Sequence, residues 1–198
     1  MRKWIGIICV VLGVICMLSS VGFVVYNRWE DKNAEKIARS LLEDVQSILD
    51  EKTAESDDVE RIPTEMATVT AGGYDCIGIL SIPDLNLELP VLTDWSYVKL
   101  KKAPCHYYGT YYEKDFVIAA HNYKSHFGRL SELQPGDLVF FTDVNGIVYY
   151  YKVILLETLP KEATKEMITS GFDLSLYTCT PGGASRVTVR CNAVKDSN

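Results

Sequence analysis

Between Trp4 and Tyr26 the chain runs for 23 residues without a charge. As a helix rising 1.5 Å per residue this run covers about 35 Å, enough to cross a hydrocarbon core of about 30 Å with some tilt. From Asp31 to about Lys52 the pattern changes. Ala34, Ile37, Ala38, Leu41, Leu42, Val45, Ile48 and Leu49 recur at steps of three and four, which predicts an amphipathic helix whose stripe packs on a folded domain. Three heptads without strong a and d residues make a homotypic coiled coil the poorer reading. Glu51 to Thr70 is polar and acidic, contains Pro63, and reads as a linker.

Beyond Tyr74 the apolar runs become short. Tyr74–Ile82 and Leu87–Leu92 are strand-like and separated by Pro83-Asp84-Leu85-Asn86. Phe116–Ala120 is continuously apolar, as for a strand buried on both faces. Asp137–Thr142 and Ile147–Leu156 flank Asp143-Val144-Asn145-Gly146, and Asn-Gly is a strong hairpin signal. One short helix is expected at Lys161–Ile168, followed by strands at Leu174–Thr178 and Arg186–Ala193. Seven or eight short, closely spaced strands favour a closed barrel or sandwich over a doubly wound sheet. The expected organisation is a cytoplasmic N-terminus and membrane anchor over residues 1–27, a helical stalk and linker over 28–72, and a folded domain over 73–198.

Charge and cysteine usage narrow the classes. Arg2 and Lys3 precede the apolar run, so the N-terminus is expected in the cytoplasm and everything after Tyr26 outside. A cleaved signal peptide is the rival, but the run exceeds the usual apolar core of such peptides. A net charge of −6 argues against a nucleic-acid binder, which neutralises phosphates with Lys and Arg. The cysteines are Cys9, Cys16, Cys76, Cys105, Cys179 and Cys191, with no C-x-x-C pair. That excludes the usual zinc-ribbon and thioredoxin spacings. Two lie in the apolar run, so a disulfide framework is a poor reading.

Candidate chemistry gathers at Leu176-Tyr177-Thr178-Cys179-Thr180-Pro181, where a thiol ends a strand-like run. Position alone makes such a cysteine an ordinary structural residue. Its neighbours change that. Pro181-Gly182-Gly183 open a turn, and Arg186 follows close enough to lower the thiol pKa or to stabilise an oxyanion. In the last strand Val187, Val189, Cys191 and Ala193 share one face, read as core. Arg186, Thr188 and Arg190 share the other, which can face a cleft. The two arginines lie about 13 Å apart in a strand, so they cannot both serve one carbonyl. His121 closes the Phe116–Ala120 run, and a cysteine–imidazole pair is the economical reading. A metal site from His121, His126 and Asp143 lacks a recognised ligand spacing, so no metal and no cofactor are expected.

These residues resemble the sortases, cysteine transpeptidases of Gram-positive cell surfaces. The family's Thr-Leu-x-Thr-Cys signature is similar to Ser175-Leu176-Tyr177-Thr178-Cys179, with Ser175 in place of the first threonine. Its Ala/Gly-His-Asn run resembles Ala120-His121-Asn122, and its arginine resembles Arg186, seven residues beyond the cysteine. Ile77–Pro83, Leu89-Pro90-Val91, His106-Tyr107-Tyr108-Gly109-Thr110 and Gly136-Asp137 are similar to further landmarks. Cys105 departs from a position where many relatives carry glycine.

The resemblance implies a mostly β fold, an eight-stranded barrel with short helices. It implies catalysis by Cys179, His121 and Arg186, with Thr178, Asn122 and Ala120 at the substrate and the Leu155–Ser170 segment shaping a peptide groove. The expected substrate is a surface protein with a Leu-Pro-x-Thr-Gly-like sorting signal, cleaved through a thioacyl enzyme. The acyl group would pass to an amine of the cell-wall precursor. The interval of 58 positions from His121 to Cys179 is too short for the long helical insertion of the haem-protein-anchoring class. A housekeeping or class D/E-like enzyme is expected, with a pilin-polymerising sortase or a hydrolytic, membrane-anchored cysteine protease as the alternatives.

Overall fold

The computed structural model describes residues 2–55 and 65–194. The chain divides into two compact units, Met1–Asn33 and Ala34–Asn198. A single helix, α1, covers Arg2–Glu55, so the apolar run and the amphipathic stripe belong to one element rather than two. In the first unit apolar side chains such as Trp4, Ile7, Leu12, Leu18, Phe23 and Tyr26 are exposed. The helix contains a segment long and apolar enough to cross a membrane, with a mean hydropathy of 2.7. In the second unit Leu41, Val45 and Leu49 are buried against Val69, Ala71, Cys76, Ile79, Leu92 and Cys105. The stripe thus packs on the folded domain, as its spacing predicts. Of the expected linker, residues 56–64 lie outside the described residues.

The strands are β1 (Val69–Ala71), β2 (Tyr74–Ile82), β3 (Leu87–Leu92), β4 (Cys105–Tyr108), β5 (Phe116–Ala119), β6 (Leu138–Asp143), β7 (Val148–Pro160), β8 (Leu174–Cys179) and β9 (Ser185–Ala193). Short helices α2 (Tyr97–Leu100) and α3 (Thr164–Ile168) interrupt them. The order β2-β3-β4-β5-β8-β9-β7-β6 closes on itself through β2–β6 pairing, while β1 adds to β2 from outside the ring. Eight strands therefore make the barrel, as expected. Closure removes the free sheet edges that would otherwise template aggregation.

Local sequence explains the turns that set register. Asp143 Oδ1 accepts the backbone N–H groups of both Asn145 and Ile147 at 2.9 Å, and Gly146 takes φ +82° between them. The β6–β7 hairpin follows from that geometry. Gly78 lets β2 approach β6 closely, since a Cβ there would meet the Thr142 carbonyl oxygen at 2.2 Å. Phe116, Ile118, Leu174, Leu176 and Val189 fill the barrel interior, with Cys191 among them as strand parity requires. The expected hydrophobic strands recur within a few residues, β7 being longer than its pattern suggests. Strands β1 and β4 and helix α2 were not legible as elements, being only three or four residues long.

Candidate active site

The order of the strands decides which sequence-distant residues meet. Strand β5 runs parallel to β8 with Ala119 opposite Tyr177. The ladder extends one step further, because Ala120 N–H donates to the Tyr177 carbonyl at 3.1 Å. His121 and Cys179 each lie two residues beyond the Ala119–Tyr177 pair, so adjacent parallel strands deliver both off the same end. Strand β9 is antiparallel to β8 and sets Arg186 directly opposite Cys179. Thiol, imidazole and guanidinium belong to one rim of the barrel.

Beyond His121 the chain folds tightly on itself. His121 stacks on Tyr123, with ring centroids 4.0 Å apart and an interplanar angle of 16°. Phe127 N–H donates to the His121 carbonyl at 3.2 Å, and Gly128 N–H to that of Tyr123 at 2.8 Å. A Cβ on Gly128 would sit 2.6 Å from the Asn122 carbonyl oxygen, so glycine is what the close return needs. The loop fixes the imidazole by stacking rather than by strand pairing.

The four cysteines of the second unit are sorted by exposure. Burial pushes the Cys76 thiol up to about 11 and those of Cys105 and Cys191 up to about 12. They remain protonated and poorly nucleophilic at neutral pH. Cys179 is the partly exposed member of the set. Cys105, the departure noted in the sequence, lies buried under α1 with its thiol directed to the Ala103 carbonyl at 3.5 Å. Cys76 and Cys105 both pair with Leu92, from the strands on either side of it. Two strand spacings of about 4.8 Å separate them, beyond disulfide reach.

A groove of about 200 Å³ opens at this rim. Ala120, Cys179 and Arg186 line it, whereas His121 and Asn122 do not. Pro160, Lys161, Ala163, Thr164 and Met167 form one wall, so the segment expected to shape a groove does so. Tyr177, Tyr107, Trp95 and Tyr97 make the other wall, in successive ring contacts of 5.3, 5.5 and 5.8 Å. Burial raises the Tyr177 hydroxyl above the ordinary phenol range, so it stays protonated. Nothing local in the sequence signals this aromatic wall, because Trp95 lies in the loop before α2, Tyr97 begins that four-residue helix, and their convergence with Tyr107 and Tyr177 depends on barrel closure.

Thr178 is only 4% exposed, and its hydroxyl donates to the Ala120 carbonyl at 2.9 Å. Arg186 Nη1 donates to the carbonyls of Gly183 and Ser185, each at 3.1 Å, which draws the guanidinium to the β8–β9 turn. Arg190 departs from expectation. It does not face a cleft but is 1% exposed beneath α3. Asp143 is engaged in its hairpin, and no cluster of three or more metal-ligating side chains occurs among the described residues.

The family description "Sortase domain" matches residues 80–194, more than half of the chain. The chain belongs to the sortase family. No curated protein matches it. Among solved structures, a Clostridium perfringens sortase D5 transpeptidase is similar over 81% of this chain and 99% of its own, at 17% identity and a TM-score of 0.61. Sortase A from Corynebacterium diphtheriae covers 89% of this chain and 98% of its own, at 18% identity and a TM-score of 0.56. Sortase C1 from Streptococcus suis is 26% identical over 61% of this chain and 73% of its own, with a TM-score of 0.54. As a sortase the protein is a cysteine transpeptidase, and the groove at the β5–β8–β9 rim contains its partly exposed cysteine.

Proposed function

We propose that this sortase cleaves a Leu-Pro-x-Thr-Gly-like sorting signal and transfers the acyl fragment to an amine of the cell-wall precursor. The observation that carries this reading is the shared rim: β5 and β8 deliver His121 and Cys179 in parallel, and β9 sets Arg186 opposite the thiol. Cys179 Sγ gives its proton to His121 and attacks the threonine carbonyl carbon of the Thr–Gly bond, forming a C–S bond and a tetrahedral oxyanion. Arg186 stabilises that oxyanion or holds the peptide backbone beside it. His121 protonates the leaving glycine amine as the C–N bond breaks, leaving a thioacyl enzyme. In the second half the incoming amine attacks the thioester and gives its proton to His121, which returns it to sulfur as the C–S bond breaks and the thiol is regenerated. Thr178 acts by holding the Ala120 carbonyl, while Ala120, which lines the groove, shapes the peptide's path next to the imidazole.

Residues 1–27 anchor the enzyme, residues 28–72 form stalk and linker, and residues 73–198 carry the chemistry outside the cell. The apolar first unit and the basic Arg2 and Lys3 support that orientation.

The test is product partition. The full chain in detergent micelles is given a Leu-Pro-Glu-Thr-Gly peptide, with and without a short glycine or diaminopimelate-containing amine. A thioester on Cys179 seen by mass spectrometry, and diversion of product from acid to amide by the amine, are expected. Hydrolysis that no amine diverts overturns the proposed acceptor reaction, and preference for a pilin lysine would assign a pilus-assembling role instead.

A further inference from the structure

Arg190 is the largest fully buried side chain of the protein's described residues and is not part of the reaction above. Every part of its fork is engaged. Nε donates to Glu157 Oε1 on β7 and Nη1 to Ser175 Oγ on β8, both at 2.7 Å. Nη1 also reaches the Met167 carbonyl at 3.3 Å, and Nη2 donates to the Glu166 carbonyl at 2.8 Å. The last two acceptors lie on α3, the element that supplies Met167 to the groove wall.

Helix α3 has little to hold it otherwise. It is five residues long, its N-cap Ala163 supplies no side-chain hydrogen bond, and at its other end Thr169 Oγ1 donates to the Lys165 carbonyl at 2.8 Å, which leaves the Glu166 and Met167 carbonyls to Arg190. Isolated helices of that length do not form in water. A cation at the carbonyls of its last turn satisfies acceptors that the helix itself leaves open and complements the helix dipole. Ser175 lies on the same strand as Cys179, four residues before it. One guanidinium therefore ties the groove wall to the nucleophile's strand.

We propose that Arg190 is a positioning residue that sets the width of the sorting-signal groove by holding α3 against β8. This rests on reading the groove as the peptide site. A buried ion pair contributes little net stability compared with a well-packed apolar replacement. The division of its hydrogen bonds between wall and nucleophile strand is what an apolar residue would not reproduce. Lysine would not reproduce it either, since a single ammonium lacks the planar fork. Ser175, where the family signature has threonine, supplies the hydroxyl this arrangement uses.

The experiment compares the full chain with Arg190→Met, Arg190→Lys and Ser175→Ala, in micelles, using a quenched fluorescent Leu-Pro-Glu-Thr-Gly peptide. Hydrogen exchange over residues 161–170 is followed in parallel with exchange in β5 and β9. Arg190→Met is expected to raise KM about tenfold, equivalent to about 1.4 kcal/mol, with a smaller change in kcat. Exchange should accelerate over 161–170 and stay unchanged in β5 and β9, with Arg190→Lys intermediate. Unchanged KM and unchanged local exchange overturn the proposal, as does a loss of protection spread evenly over the barrel. Should Arg190→Met fail to fold, Ser175→Ala decides: faster exchange confined to 161–170 supports the role and unchanged exchange there overturns it. If the unaltered enzyme leaves the peptide intact, the substrate reading fails while the exchange comparison still judges Arg190.

Discussion

Thr178 Oγ1 donates a 2.9 Å hydrogen bond to the carbonyl oxygen of Ala120, across the parallel strands that carry Cys179 and His121. Each partner immediately precedes one of the proposed catalytic residues. The bond lies in a buried setting, where an acceptor left unsatisfied costs about 1–3 kcal/mol. Thr178→Val keeps the shape and removes the donor. We expect it to lower stability by about that amount and kcat/KM by at least about tenfold, since misplacement of reacting groups by about 1 Å can cost a hundredfold. Thr178→Ser, which keeps the donor, should stay close to the unaltered enzyme. Thermal unfolding and peptide cleavage measured on both variants check this.

The nucleophile assignment makes a prediction about thiols. Cys76, Cys105 and Cys191 are buried and held as thiols by pKa values of about 11 to 12. Within residues 34–198, Cys179 should therefore be the one cysteine that a charged, water-soluble alkylating reagent modifies quickly at pH 7. Peptide mapping after brief labelling reads this directly. Cys179→Ala should abolish turnover with an unchanged circular dichroism spectrum and melting temperature. Residual turnover near the original rate would remove Cys179 from the mechanism.

For Arg186 the expectation separates two roles. Its guanidinium is already drawn to the Gly183 and Ser185 carbonyls at the β8–β9 turn, and its backbone lies opposite that of Cys179. Losing a donor to a developing oxyanion costs about a hundredfold to a thousandfold in kcat. Arg186→Ala should show a loss of that order, with Arg186→Lys recovering part of it. A rise in KM at unchanged kcat would instead assign Arg186 to ground-state binding of the peptide. In kcat, Arg186→Ala should cost far more than Arg190→Met.

Much of this was legible in the sequence where a pattern was local. The 23-residue uncharged run, the three-and-four spacing of Leu41, Val45 and Leu49, and the Asn145-Gly146 turn each depend on neighbours along the chain. The signature around Cys179 and the Ala120-His121-Asn122 run were equally plain. What escaped depends on closure of the barrel. Arg190 shares strand parity with Arg186, yet α3 folds over one end of β9 and leaves the other at the groove. Parity places both on one face and says nothing about what covers it. The wall of Trp95, Tyr97, Tyr107 and Tyr177 escaped for the same reason, since its members come from β4, β8, α2 and the loop before α2. Strands of three or four residues such as β1 and β4 are too short to display a period at all.

Alkaline conditions test the packing that holds the rim in place. Burial raises the thiols of Cys76, Cys105 and Cys191 and the phenols of Tyr111, Tyr149, Tyr151 and Tyr177 above their ordinary values. In the unfolded chain the same thiols titrate near about 8.5 and the phenols near about 10. Above those values the unfolded state releases protons that the folded state retains, so it binds fewer of them and stability falls as pH rises. The contribution is fully present below about pH 8 and is lost progressively through the window up to the folded values. Each fully titrating group contributes a slope of about 1.4 kcal/mol per pH unit. The melting temperature should therefore stay level from about pH 6 to 8 and drop steeply beyond about pH 9. The part of the phenolate absorbance at 295 nm that belongs to Tyr111, Tyr149, Tyr151 and Tyr177 should appear as a step coincident with the loss of circular dichroism, because these phenols ionise on unfolding. Ionisation of every tyrosine with the fold intact, and no step at unfolding, would mean that these four side chains are not shielded by the fold.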